Sequence, residues 1–383
     1  MTSPQPAFAR RIFVGSDIYR RPAYGKNHPL AIPRVETVVD LCEALDWFPP
    51  GAYHESPVAS AEQLAWFHDP DYIEALRAAD AAGKASAEAR DKYGLGTIEN
   101  PIFPGVFARA STSVGGSIEA ARLVTEAPGV AFHPAGGTHH AAPGRARGFC
   151  FFNDPVFAVL ALQRAGIGRV LYVDLDAHHG DGVEEAFADD DAVLTVSVHE
   201  FGRWPYSGAE DLLGSTVRNL AVSGGFNDSE LAFLMDDVVL PLGRDFAPEA
   251  VVVTCGADGL KGDPLSKMAL SNGALWRAAE AAAALADRAV IVGGGGYNPW
   301  TVARGWAGLW GWLNRFDVAA PLPPEAQAIL RRLDCDLVDE EDVADFWFET
   351  MIDPPNEGPV REAVRAYATP AGAMAGSPRR MAV

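Results

Sequence analysis

The sequence predicts an α/β protein: a mainly parallel sheet with helices on both faces. Three observations carry this. Strand-like runs alternate with helical patterns along most of the chain, as in parallel sheets built from crossovers. Several of the runs are apolar and end in polar residues and glycine, the signature of a buried strand reaching its carboxyl end. Finally, Asp or His residues follow four of the strands, where open parallel sheets bind their ligands.

The elements follow in order. Arg11 to Val14 is the first strand, and helical periodicity covers Val35 to Trp47 and Asp71 to Ala82. Glu88 to Pro104 is rich in Gly, Pro and charge and reads as a loop able to border a site. A helix at Ala108 to Val124 leads to the strand Val130 to His133, and a helix at Pro155 to Ala165 to the strand Val170 to Asp174. The strand Ala192 to Val198 precedes a helix at Ala232 to Val239, and the strand Ala250 to Cys255 follows. Leu275 to Ala286 is an Ala-rich segment of strong helix propensity, succeeded by the strand Ala289 to Val292. No internal repeat or linker interrupts this order, so residues 10–352 are expected to form one domain. Residues 353–383 are expected to form an extension, partly disordered where Thr369 to Pro378 has little to pack.

Composition narrows the partners. Of 383 residues, 48% are hydrophobic, ample for a sizeable core, and 31 basic against 51 acidic residues leave a formal charge of -20. Such a charge argues against a phosphate-binding nucleic-acid groove and favours cationic partners. Cys42, Cys150, Cys255 and Cys335 form no C-x-x-C pair, so reduced thiols and a cytoplasmic location are expected. No apolar run approaches the roughly 20 residues of a membrane span. The sequence leaves the oligomeric state open.

The chemistry concentrates in Asp174-Leu-Asp-Ala-His-His-Gly-Asp-Gly182. Alternation along a strand projects Asp174, Asp176 and His178 from one face, and buried acids in such numbers need a metal or partners to offset desolvation. His139 and His140 follow a Gly-rich turn, and pairing with Asp174 and Asp181 would fix their tautomers and suit one of them to general-base work. Asp263, in Cys255-Gly-Ala-Asp-Gly-Leu-Lys-Gly-Asp-Pro264, is the natural third ligand, with Asp258 competing. Gly293 to Gly296 allow close backbone approach around Tyr297, a possible donor to an oxyanion. No G-x-G-x-x-G or Walker pattern is present, and Cys150 sits in an apolar run as a packed thiol. Metal-assisted hydrolysis is the reading these residues support.

In this set and order, His139-His140, Gly148-Phe-Cys-Phe-Phe-Asn-Asp154, Asp174 to Gly182, Gly256 to Pro264 and Gly293 to Asn298, the chain resembles the zinc-dependent histone deacetylase family of the arginase/deacetylase superfamily. The resemblance runs from Phe13 to Trp312. Gly96 to Gly105 and Tyr297 to Arg304 look most like bacterial acetoin-utilisation-type deacetylases. It implies a single-domain arginase/deacetylase-like three-layer fold. It also implies metal ligands Asp176, His178 and Asp263, with catalytic residues His139, His140, Asp174, Asp181 and Tyr297. The metal would be Zn²⁺, with Fe²⁺ or Co²⁺ suiting the same mixed ligands.

The resemblance further implies a substrate tunnel walled by Gly148, Phe149, Tyr206 and Leu270, with Glu99 as a rim acid. A structural K⁺ would take the Asp174 and Ser197 side chains and the backbone carbonyls of Asp176, His178 and Val198. Arg34 would line an internal cavity. The implied reaction is deacetylation of acetyl-lysine on a protein, or of a small acetylated amine such as an acetylpolyamine. An arginase-type ureohydrolase and a non-catalytic acyl-binding module are the remaining readings. Ser207-Gly-Ala-Glu210 and Lys267-Met-Ala269 depart from the family pattern at the rim.

Overall fold

The computed structural model describes residues 8–368. The expected disorder at Thr369 to Pro378 therefore lies outside the described residues. Eight parallel strands form one sheet: β1 (Arg11–Gly15), β2 (Tyr53–Glu55), β3 (Gly129–His133), β4 (Val170–Asp174), β5 (Val193–Glu200), β6 (Val217–Val222), β7 (Ala250–Thr254) and β8 (Arg288–Val292). Their spatial order is β2-β1-β3-β8-β7-β4-β5-β6.

Strand alternation divides the core into two layers. Leu171 and Val173 of β4, Val251 and Val253 of β7, and Ala289 and Ile291 of β8 face the layer that holds Leu41, Trp276, Trp306 and Trp310. Their neighbours Val170, Tyr172, Ala250, Val252, Val290 and Val292 face Ala120, Val156 and Phe187 on the other side. Helices at Val35–Ala44, Asn272–Ala283 and Pro299–Asn314 cover the first face. Those at Val106–Glu126, Asp154–Arg164 and Asp181–Phe187 cover the second. With both faces covered, the central strands can be wholly apolar, the pattern seen in the sequence.

All six expected strands are present, and two more flank them at the edges. β2 is three residues of Tyr-His-Glu with no apolar run. β6 carries Arg218 and Asn219 buried in its middle, which breaks the pattern; Arg218 is paired with Asp211 at 2.6 and 2.7 Å. Within the expected loop Glu88 to Pro104, a short helix runs over Ala87–Tyr93, capped by the Ser86 hydroxyl and closed by Gly94 at φ 70°. The helix Pro299–Asn314 was not anticipated either. Asn298 starts it by accepting the N–H groups of Trp300 and Thr301, with Pro299 in the first turn.

Packing continues past residue 352, where the sequence places the end of the catalytic domain. Arg304, wholly buried, donates to Asp353 at 2.7 Å, and Asp353 also exchanges hydrogen bonds with Asn272. Arg361 grips the buried Glu230 through two contacts of 2.6 and 2.7 Å. All four cysteines are buried and free. Among the described residues no helix is long and apolar enough to cross a membrane.

Candidate active site

β3, β8, β7 and β4 lie side by side, and the loops leaving their carboxyl ends bring the predicted acids and imidazoles together. Asp174, the last residue of β4, accepts from the Tyr172 hydroxyl at 2.6 Å, His139 Nδ1 at 2.7 Å and the N–H of Asp176 at 3.1 Å. Asp176 accepts the N–H groups of His178 at 2.9 Å and Gly295 at 2.5 Å. His178 Nδ1 lies 2.8 Å from Asp258 and 3.2 Å from Asp176. Asp176, His178 and Asp258 thus form a compact buried group with ligand atoms within 4.8 Å of one another. Asp263, also buried, joins through the N–H of Tyr297, which donates to it at 2.7 Å.

The glycines of this region are required by that crowding. A Cβ on Gly295 would come within 2.0 Å of Asp258, and one on Gly256 within 2.2 Å of Asp176. The four-glycine turn therefore brings backbone, not side chain, against the carboxylates.

Burial and the neighbouring Asp258 push the Asp263 carboxyl well up, and burial with Asp176 raises Asp258. Burial alone would lower His178, but the carboxylates of Asp176 and Asp258 outweigh it and lift the imidazole to about 10. The cluster holds more acid than its own cations offset, so its donor set fits a divalent cation.

The two adjacent imidazoles are separated electrostatically. His140 donates from Nδ1 to Asp181 at 2.7 Å and lines the cleft. Burial and the charge of His139 push His140 down to about 3. At His139, burial is outweighed by Asp174 and Asp176, which raise it to about 9. Burial, followed by the charges of Asp258 and Asp176, raises Tyr297 well above its ordinary value, so its hydroxyl stays a donor.

A cleft of about 560 Å³ leads from these groups to the surface, lined by Glu99, Gly148, Phe149, Trp204, Tyr206 and Leu265 among others. Tyr206 sits at its outer edge, 75% exposed. Trp204 is the ring that packs inside, 4.6 Å from His140 and edge-on to it, and a Cβ on Gly148 would strike it at 2.4 Å. The sequence reading missed Trp204, although it lies two residues before Tyr206. Leu270 is buried in the core, and Leu265 lines the cleft. Phe149 faces Tyr297 with ring centroids 5.9 Å apart.

The rim departure at Ser207 to Glu210 has a structural counterpart. The Ser207 hydroxyl lies 2.8 Å from Nδ1 of His179, whose Nε2 meets Glu184 at 2.8 Å. Gly208, at φ 67°, leaves no room for a side chain beside His179 and His199, where an added Cβ would come within 2.7 and 2.8 Å, and its carbonyl accepts from His199 Nε2 at 2.9 Å. Ser197 pairs in register with Asp174 across β4 and β5, its hydroxyl 2.9 Å from His199, and Val198 follows it in β5. Arg34 donates to the carbonyl of Gly294 and lines a separate internal cavity of about 110 Å³ with Tyr19, Tyr24 and Phe149.

A covered parallel sheet carrying paired imidazoles, clustered acids and a buried tyrosine at one cleft defines a hydrolytic enzyme. The chain belongs to the histone deacetylase family, whose domain model matches residues 28–313, and is a deacetylase. It is 36% identical over 331 residues to the acetoin utilization protein AcuC of Bacillus subtilis, covering 82% of this chain and 84% of that one. It is 33% identical to the histone deacetylase RPD3 of Saccharomyces cerevisiae, covering 83% of this chain and 75% of that one. The solved structure of an HDAC homolog from Aquifex aeolicus superposes with a TM-score of 0.88 at 34% identity, covering 95% of this chain and all of that one. These comparisons agree with the predicted arginase/deacetylase-like fold.

Proposed function

We propose that this deacetylase is zinc-dependent and hydrolyses the amide of Nε-acetyl-lysine on a protein, giving acetate and the free amine. The observation that carries the reading is the buried acid and imidazole cluster of Asp176, His178, Asp258 and Asp263 at the floor of a cleft that His140 and Tyr297 also line. Asp176, His178 and Asp263 would hold the metal, and mixed oxygen and nitrogen donors suit Zn²⁺, with Fe²⁺ and Co²⁺ fitting the same set. The bound ion would polarise the acetyl carbonyl and make water acidic enough to attack near neutral pH.

The chain's own residues do the rest. His140, oriented through Nδ1 by Asp181, takes the proton of the attacking water at Nε2 and later delivers it to the leaving amine. The Tyr297 hydroxyl donates to the oxyanion that develops on the acetyl group. His139, held by Asp174, supplies positive charge beside it. Gly148, Phe149 and Trp204 form the slot for the methylene chain, with Glu99 at its mouth. Asp174, Ser197 and the carbonyls of Asp176, His178 and Val198 would take the structural K⁺. Buried free thiols fit a reducing cytoplasm.

A small acetylated amine is the second reading, favoured by Glu99 at the mouth and the net charge of -20. Steady-state hydrolysis of an acetyl-lysine peptide and acetylputrescine by protein loaded with one equivalent of Zn²⁺ separates the two by kcat/KM. Hydrolysis lost in Asp176→Asn and Tyr297→Phe supports the mechanism. Silence of the metal-loaded protein on both substrates would sink it.

A further inference from the structure

Glu200 closes β5 and is buried beside the cleft mouth. Its carboxylate takes Nε of Arg203 at 2.6 Å and Nη2 at 2.9 Å, the N–H of Lys267 at 2.8 Å and the Ser266 hydroxyl at 3.2 Å. The bidentate guanidinium neutralises this acid, and the remaining donors occupy it.

Lys267 is held through its backbone on both sides. Its N–H rests on Glu200, and its carbonyl accepts the N–H of Gly225 at 2.6 Å. Its stem lies over Gly224, where an added Cβ would come within 3.1 Å of the Lys267 Cβ. The exposed side chain lines the cleft mouth, and Arg203 takes the nearby carboxylate as its salt-bridge partner. Glu99 lines the same mouth, its loop fixed by the contact of its carbonyl with His28 Nε2 at 3.2 Å. Beside the Arg203–Glu200 pair, the mouth therefore carries the Lys267 ammonium, with no salt-bridge partner among the described residues, and on a separate backbone the Glu99 carboxylate, touched by Asn100 Nδ2 at 3.4 Å.

Resting on the deacetylase reading above, we propose that Lys267 is a specificity-determining residue. Its ammonium recognises a carboxylate flanking the acyl-lysine, and with Glu99 it sets the direction in which a polypeptide crosses the mouth. An ammonium only donates hydrogen bonds, and it holds a carboxylate more strongly than a neutral carbonyl, so Lys267 favours an acidic neighbour where Glu99 favours an N–H or a cation. Both groups are in contact with water, so the discrimination is modest and sensitive to salt.

The test uses two isomeric peptides of equal charge, one with Glu before and Lys after the acetyl-lysine, the other reversed. Zinc-loaded enzyme should prefer one isomer about two- to fivefold in kcat/KM, mostly through KM, and the preference should shrink at high ionic strength. Lys267→Glu should reverse the preference and Lys267→Gln erase it. Equal rates in the native enzyme, or a preference unchanged by both substitutions, would overturn the proposal and leave the deacetylase reading standing. Failure to hydrolyse either isomer would remove both.

Discussion

Asp263 and Tyr297 are joined directly, the N–H of Tyr297 donating to the Asp263 carboxylate at 2.7 Å. A side chain proposed to bind the metal thereby also fixes the backbone of the proposed oxyanion donor. Asp258 has no such link; it accepts the N–H of Ala177 at 2.9 Å and faces His178. Asp263→Asn should lose zinc almost completely and with it nearly all activity, while Asp258→Asn, which removes the carboxylate facing His178, should weaken zinc binding by about 10- to 100-fold. Zinc content after dialysis, measured by atomic emission, checks this. Metal lost only from Asp258→Asn would transfer the ligand role to Asp258.

Tyr297→Phe removes one hydroxyl from a site otherwise unchanged. It should lower kcat on the order of 10²-fold with zinc content intact. A kcat equal to that of the native enzyme would take Tyr297 out of the reaction.

The contact between Ser207 and His179 ties the loop bearing Trp204 and Tyr206 to the floor of the site. Ser207→Ala should raise KM about two- to fivefold with little change in kcat, and Ser207→Thr should restore it. Gly208→Ala should cost more, because its Cβ would meet His179 at 2.7 Å and His199 at 2.8 Å at a positive φ. A Ser207→Ala enzyme with native KM would show that the rim stands without this tether.

Arg304 is wholly buried, and Asp353 is its ion-pair partner. Asp353→Ala leaves a guanidinium without its counter-charge and should lower stability by about 3 kcal/mol. Chemical denaturation reads this as a lower midpoint. An unchanged midpoint would mean that the Arg304–Asp353 pair contributes nothing to stability.

His68 is locked as a neutral imidazole. Its Nδ1 lies 3.1 Å from the carbonyls of both Ala142 and Pro143, and its Nε2 accepts the N–H of Asn153 at 3.0 Å. Burial lowers its pKa to about 4. The unfolded chain binds this proton first, so the contribution is complete above pH 6.5 and is lost as pH falls from there to about 4. The integral over that window is about 3 kcal/mol. His68→Gln should flatten that part of the stability profile relative to the native protein; an identical profile would exclude the role.

The strands of the sheet centre were legible because burial on both faces leaves them almost wholly apolar. β6 was hidden by Arg218 and Asn219, whose partners Asp211 and Glu184 come from elsewhere in the chain. The acids and imidazoles were legible as a cluster from their density around Asp174 to Asp181, but which imidazole meets which acid came from the family resemblance, since β4 ends at Asp174 and Asp181 lies beyond it. The wall aromatic was not legible. Arg203-Trp-Pro-Tyr206 offers two rings, and only the path of the loop decides that Trp204 turns inward while Tyr206 faces water. Asp258 and Asp263 posed the same difficulty, because which of two acids reaches a given point depends on the backbone between them.

The clasp of Arg304 on Asp353 and of Arg361 on Glu230 also bears on how the chain is made. A ribosome emits the catalytic histidines and aspartates long before residue 353. Until that late segment leaves the exit tunnel, the helix Pro299–Asn314 carries a bare buried-type cation and Glu230 an unanswered charge. At roughly 5–20 residues per second, the nascent polypeptide passes many seconds with its reactive groups already synthesised but its last fastening absent. Closure of the buried core around Arg304 and Glu230 thereby waits for the segment that carries Asp353 and Arg361 to emerge.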